Sequence, residues 1–181
     1  QPAVCPHVQV QSGIAAVEFA AILPFMLVAY LGGVELGDGV AIDRKVAVTT
    51  RSVADLASRY TTIKNADMAS ILGAAAAVIA PYDPGQLAVT VSQVSVDPKG
   101  NAIVTWSDTK NGSARAVNSP ITLPGSMATC GGSTSGCTYI LGEVKYSYTP
   151  TLGYVLTGTL GLSNQIFMSP RESASIQRVN A

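Results

Sequence analysis

"SGIAAVEFAAILPFMLVAYLGGVELG", residues 12–37, decides how the rest of the chain is read. Residues 14–34 are apolar except for Glu18, a run of about 21 residues, close to the roughly 20 that cross a bilayer as a helix. Without its first turn the run shrinks to about 16, too short to span. A spanning helix therefore needs Glu18 near the interface, because a carboxylate at the midplane is expensive. Pro24 lacks a backbone N–H and crowds the preceding turn, which predicts a kink. Gly32, Gly33, Gly37 and Gly39 weaken the helix further on.

Past the apolar run the pattern changes without stopping. Ile42, Val46, Thr49, Val53, Leu56, Tyr60 and Ile63 follow at alternating spacings of four and three, one stripe of an α-helix with Thr49 as its weak member. The simplest reading is one helix, continuous or gently broken, over residues 14–64. Its first half is apolar all round, and its second half is amphipathic and needs a cover for one face. A membrane helix followed by a separate soluble helix is the competing version.

"NADMASILGAAAAVIAP" predicts a short helix over residues 65–80, with Asn65 or Asp67 as cap and Pro81 as stop. The period then switches to two. Leu87, Val89 and Val91 alternate with polar or small residues, while Val94 and Val96 continue on the other parity, which suggests a bulge. "NAIVTWSD" follows the turn "DPKGN" as a second strand, and "TYILGEVKYSYTP" is a third, with Val144, Tyr146 and Tyr148 on one face. "QIFMSPRESASIQRV" reads as a fourth, interrupted by Pro170. Residues 109–138 read as a long loop, and "TLGYVLTGTLGLSN" as a short helix or a loop on the core. The fold class is α+β: a long N-terminal membrane-spanning helix continues into an amphipathic helix and packs on a small antiparallel sheet. The predicted divisions are an unstructured leader at 1–13, a transmembrane helix at 14–37, and a globular domain at 38–181. Within that domain come the amphipathic helix (38–64), the short helix (65–80), and strands and loops (87–179).

The 181 residues carry 11 Lys+Arg against 11 Asp+Glu, so no basic excess recruits nucleic acid. Charged residues are 12% of the chain, about half the usual share of roughly 25%, and the mean hydropathy is positive, as in a membrane-attached or assembling protein. The single histidine, His7, has no motif around it, and nucleophile-elbow, zinc-helix, phosphate-loop and dinucleotide patterns are absent. Asp83, Asp97 and Asp108 read as turn residues, and Arg171 with Glu172 as an exposed pair of little energy. No catalytic constellation, cofactor, metal site or small-molecule substrate is predicted. Cys130 and Cys137 bracket "CGGSTSGC". A disulfide there closes a loop of about eight residues and stabilises by roughly 2–3 kcal/mol if the domain meets an oxidising compartment. Two unpaired thiols are the alternative, and Cys5 is left over.

The element Gly13, four residues, Glu18, Phe19, then an apolar run resembles the processing site of type IV pilin-like proteins. "AAVEFAAILPFMLVAYLGGVELG" as a whole is similar to the TadE/TadF-type pseudopilins of the tight-adherence (Flp) pilus, and "SVADLASRYTTI", "LPG", "EVKYSYTPTLGYV" and "IFMSPRESASI" are similar to later segments of that family. The resemblance runs over about residues 12–179. It implies a minor pseudopilin or pilus assembly protein cut after Gly13 by a prepilin peptidase, so that Ile14 becomes the first residue and Glu18 the fifth. It implies a single-pass inner-membrane protein with a periplasmic domain, able to enter the extracellular pilus. Its implied partners are the major pilin and sister pseudopilins, met through the apolar stem, and the inner-membrane assembly platform. The physics agrees, since cleavage frees an α-amine with which Glu18, of the same chain or a neighbour, can pair.

One departure stands out. Such leaders carry Lys or Arg before the glycine, whereas residues 1–13 have none and Arg44, Lys45 and Arg51 follow the span, which taken literally reverses the orientation. A basic segment upstream of Gln1 is the expectation that resolves it. Two rivals remain. A secreted or membrane-anchored periplasmic binding module with an ordinary signal peptide would be cut near Ala41, where Glu35 and Asp38 are poorly suited. An anchored enzyme lacks an acid–base constellation.

Overall fold

The structure, a computed structural model, describes residues 8–133, 136–150 and 158–179. The chain forms two compact units, Gln1–Gly39 with Thr149–Gly158, and Val40–Tyr148 with Thr159–Ala181. Helix α1 (Val8–Ser58) is unbroken through Pro24. It starts ahead of Gly13, where the sequence reading has an unstructured leader. The correction has a local cause: after Pro6, residues 8–12 contain no Pro or Gly to stop a helix propagating back from the apolar run.

The other end of α1 is also corrected, from about residue 64 to Ser58. The Arg59 and Tyr60 N–H groups bond back three residues, to Leu56 and Ala57, and the β-branched run Thr61–Thr62–Ile63 leaves the helix. Strand β1 (Thr62–Ile63) then pairs in parallel with β6 (Gln177–Arg178). Ile63, the last member of the sequence stripe, is buried from a strand instead.

Helix α2 (Asn65–Ile79) starts where expected and ends one residue short of the predicted 65–80, with Ala80 as its C-cap. Its N-cap is Lys64 rather than Asn65 or Asp67, and the Asp67 carboxylate accepts from the Lys64 N–H at 3.0 Å. Lys45 of α1 finishes the other end by donating to the carbonyls of Val78 and Ala80, a cation on helix-end carbonyls.

Strands β2 (Leu87–Val96), β3 (Ala102–Lys110), β4 (Cys137–Tyr148) and β5 (Leu160–Met168) form an antiparallel sheet in the order β3-β2-β4-β5. The α+β class read from the sequence holds. β5 starts earlier than expected, so residues 160–164 are strand, not helix or loop, and Pro170 lies after it; residues 151–157 of that same stretch are outside the described residues. The bulge is where the parity change placed it, but its extra residue is on β3. Gln93 faces Trp106 and Val94 faces Val104, leaving Thr105 unpaired, while β2 runs in unbroken register along β4.

The parity change has a packing cause, two cores on opposite sheet faces. Val89, Val91, Trp106, Ile140, Val144, Tyr146 and Tyr148 pack with α1 and α2. Val94, Val96, Ala102 and Leu141 face the other way, under Ile121, Leu123 and the Cys130–Cys137 pair. The predicted loop 109–138 is therefore partly a lid over the second core, with a short helix α3 (Gly125–Ala128). The bulge lets β3 serve both faces, with Ala102 in one core and Trp106 in the other.

A C-terminal strap closes the first core. Ile176 is buried, its carbonyl accepts from Trp106 Nε1 at 3.0 Å and its N–H donates to Gln93 Oε1 at 2.7 Å. Arg178 bonds both carboxylate oxygens of Asp108, the Asn65 side chain and the Ile63 carbonyl. Asp108 is thus a strand residue with a charged partner, not the turn residue read from the sequence. Arg171 pairs with Asp55 of α1, which also pairs with Arg59, in place of the sequence pairing with Glu172. Gln93→Leu keeps the volume but orphans the buried Ile176 N–H, which costs about 1–3 kcal/mol. It should lower the melting temperature and speed amide exchange at Ile176 ahead of the sheet.

Candidate functional site: the apolar helix and its acidic residue

From Gly13 to Tyr30 the residues of α1 are exposed. Phe19, Phe25 and Tyr30 show 59%, 76% and 68% of their surface, and Ile14, Val17, Ile22 and Val28 are likewise uncovered. The helix is long and apolar enough to cross a membrane, and its most apolar window is not buried at all against the rest of the chain. A contiguous apolar surface of this size marks an interaction with lipid or with other protein. Glu18 is exposed on the same helix, and Ile14 is one turn away on its face, at the i, i+4 spacing that lets side chains meet.

Gly13 lies inside the helix. Glycine there costs about 1 kcal/mol relative to Ala. Among the described residues nothing lies within 4 Å of where its Cβ would sit, so none of them requires a glycine there. Gly33, Gly37 and Gly39 are equally open. Gly142 of β4 is the opposite case, since a Cβ there would fall 2.9 Å from the Ala54 Cβ and 3.1 Å from the Thr50 carbonyl oxygen of α1.

In the second part of α1 the predicted stripe is buried at Ile42, Val46, Thr49 and Val53, and Leu56 is half-buried. Thr50, Ala54, Ala57 and Ser58 are buried as well, a second row of small residues that hydropathy alone did not single out. Thr49 and Thr50 satisfy their hydroxyls on the carbonyls of Lys45 and Val46, both at 2.8 Å.

The polar residues of the domain are tied into structure. Arg115 binds Glu143 in a two-pronged pair at 2.6 and 2.7 Å, and that hydrogen bonding raises its pKa. Bonding to Asp108 raises the pKa of Arg178 in the same way. Burial pushes the Tyr146 phenol up. Asn101 bonds hold the Asp97 carboxyl below its usual value, within the predicted turn. Among the described residues, no group of three His, Cys, Asp and Glu side chains is placed to hold a metal ion. Cys130 and Cys137 are joined as a disulfide, with Cα atoms 5.6 Å apart.

The family model described as TadE-like protein matches residues 13–59, so the match starts at Gly13 and ends one residue past α1. No curated protein and no solved structure matches the chain.

Proposed function

We propose, for a chain that is TadE-like over residues 13–59, the role of a minor pseudopilin in a tight-adherence pilus, a structural protein and not an enzyme. A prepilin peptidase cuts after Gly13. The apolar part of α1 anchors the product in the inner membrane, with the globular domain in the periplasm. It then packs against the stems of the major pilin and sister pseudopilins, seated on the inner-membrane assembly platform.

The observation that carries this reading is Gly13 itself. It is a helix-weakening residue that no described neighbour requires, it opens the family match, and it directly precedes the exposed apolar run of α1. A peptidase needs an extended scissile bond, and glycine is where this helix yields most easily. Once the bond is cut, the Ile14 ammonium and the Glu18 carboxylate are one turn apart. Each then offsets the cost of burying the other in a bundle of stems.

Two observations bear on orientation and on the rival signal-peptide reading. Lys45 donates to the end of α2, so one of the three cations after the span has a structural role in the domain. Its presence there does not need a cytoplasmic location. A cut near Ala41 would place a new charged amine on Ile42, which is 1% exposed and part of the core.

N-terminal sequencing of the protein recovered from membranes or pili should find Ile14 first. A mature chain that begins at Ile42, or retains residues 1–13, overturns the reading.

A further inference from the structure

The chain has six arginines, and four of them are held by its own carboxylates. Arg59 and Arg171 bind Asp55, Arg115 binds Glu143, and Arg178 binds Asp108. Arg44 and Arg51 are exposed, and among the described residues neither has a hydrogen bond or an ion pair. Both lie on the same face of α1 as Val40 and Val48, which leave 53% and 54% of their surface uncovered. Each of these four sits two residues before a buried one, from Ile42 to Val53, and so about 200° round the helix from the core. The result is a face with apolar patches and two cations seven residues apart, about 10 Å along the axis. Arginine is enriched at protein interfaces, where its stem covers apolar surface and its guanidinium takes a carboxylate in two-pronged fashion.

Geometry excludes two occupants. Headgroups add about 5–8 Å to each side of the hydrocarbon core. Arg51 follows Val34, the end of the apolar run, by about 17 residues, or about 25 Å of helix, so lipid cannot take both arginines. A second copy of this chain also fails. Set parallel and level, it brings Arg44 against Arg44 and Arg51 against Arg51. Shifted along the axis, it offers Asp38 and Asp43, which are five residues and so about 140° apart and do not reach both arginines from one face. Set antiparallel, it would send its apolar segment away from the shared membrane. Asp55 is already held by two arginines.

We propose that Val40, Arg44, Val48 and Arg51 form a docking face for an acidic helix of a different subunit, whose two carboxylates, about two turns apart, pair with Arg44 and Arg51. The parallel arrangement in one membrane rests on the pseudopilin reading. With Lys45 held by the end of α2, all three cations after the span then have a role outside the cytoplasm.

The test uses the full chain in membranes of its own host, with the photoreactive residue p-benzoylphenylalanine replacing Val48 or, as control, Lys99, an exposed residue of the β2–β3 turn. Irradiation should join position 48 to one different chain in at least tenfold greater yield than position 99. Mass spectrometry should place the adduct on a helix with two acidic residues about seven positions apart. Arg44→Glu with Arg51→Glu should lower that yield at least tenfold, and Arg44→Lys with Arg51→Lys should keep most of it. Exchanging the two partner carboxylates for lysines should restore the yield to the glutamate variant. Circular dichroism and melting should stay those of the parent, since both arginines are exposed. An adduct with a second copy or with lipid, equal yields at 48 and 99, no adduct at all, or one that survives the charge reversal overturns the proposal. N-terminal sequencing of the same sample separates the two readings. A chain that keeps residues 1–13 yet forms the charge-dependent adduct overturns the pseudopilin role and leaves the docking face standing.

Discussion

Glu18→Gln should leave the chain cut behind Gly13 yet reduce its recovery in pilus complexes by on the order of 100-fold. In the proposed assembly the Glu18 carboxylate is buried among stems with the freed Ile14 ammonium of its own chain or a neighbour. Removing one member of a buried pair costs about 3–5 kcal/mol, because the other charge is left without a partner. At about 1.4 kcal/mol per factor of ten, even the lower figure gives that loss. The amide keeps the shape of the side chain, so the effect isolates charge from packing. Cleavage is scored by the mass of the chain and assembly by its amount in sheared or detergent-solubilised complexes. A Glu18→Gln chain that assembles as well as its parent removes the ion pair from the account. One that is no longer cut would move the role of Glu18 from assembly to peptidase recognition.

Gly142→Val should be the most damaging single substitution in the globular domain, at about 3 kcal/mol or more. Adding volume to a packed core typically costs about 1–3 kcal/mol. At Gly142 the obstacle is the α1 backbone itself, with the Thr50 carbonyl oxygen 3.1 Å and the Ala54 Cα 3.6 Å from the added carbon. Backbone cannot rotate aside as a side chain can, so the helix must lift from the sheet. The buried stripe from Ile42 to Val53 then loses its seat. Thermal unfolding of the full chain in detergent checks this. Ala54→Gly on top of Gly142→Val should recover part of the loss, because it deletes the Cβ that would be struck at 2.9 Å, and the two changes should couple strongly. A Gly142→Val chain as stable as its parent would mean that the close approach at this point is not needed.

The parts legible without coordinates were those with strong periods. The apolar run after Gly13, the helical stripe through Ile42 and Val53, the short helix at 65–80 and the alternating strands follow from where a helix or strand must put its apolar side chains. The element Gly13–Glu18–Phe19 was legible because it sets a charge in an apolar run. That placement is costly and asks for a partner. Less legible were residues whose role depends on a distant neighbour. Asp108 resembles a turn residue until Arg178, 70 positions away, binds it. Val94 and Val96 look like a slipped register until the segment around Ile121 and Leu123 is folded over them as a second core. Thr105 became the bulge because β3 must face both cores.

Sequence alone determined that this chain has a membrane-length helix with a carboxylate near its start and an amphipathic continuation, joined to a strand-rich domain. Local chemistry and period suffice for that, since burial of a repeated face needs no knowledge of what buries it. Tertiary structure alone decided that Gly142 and the small residues of α1 set how closely helix and sheet approach, and that the strap through Ile176 seals the core. It also decided that the chain itself covers the β3 edge of the sheet. These depend on contacts between residues far apart in the chain, whose pairing no local pattern encodes.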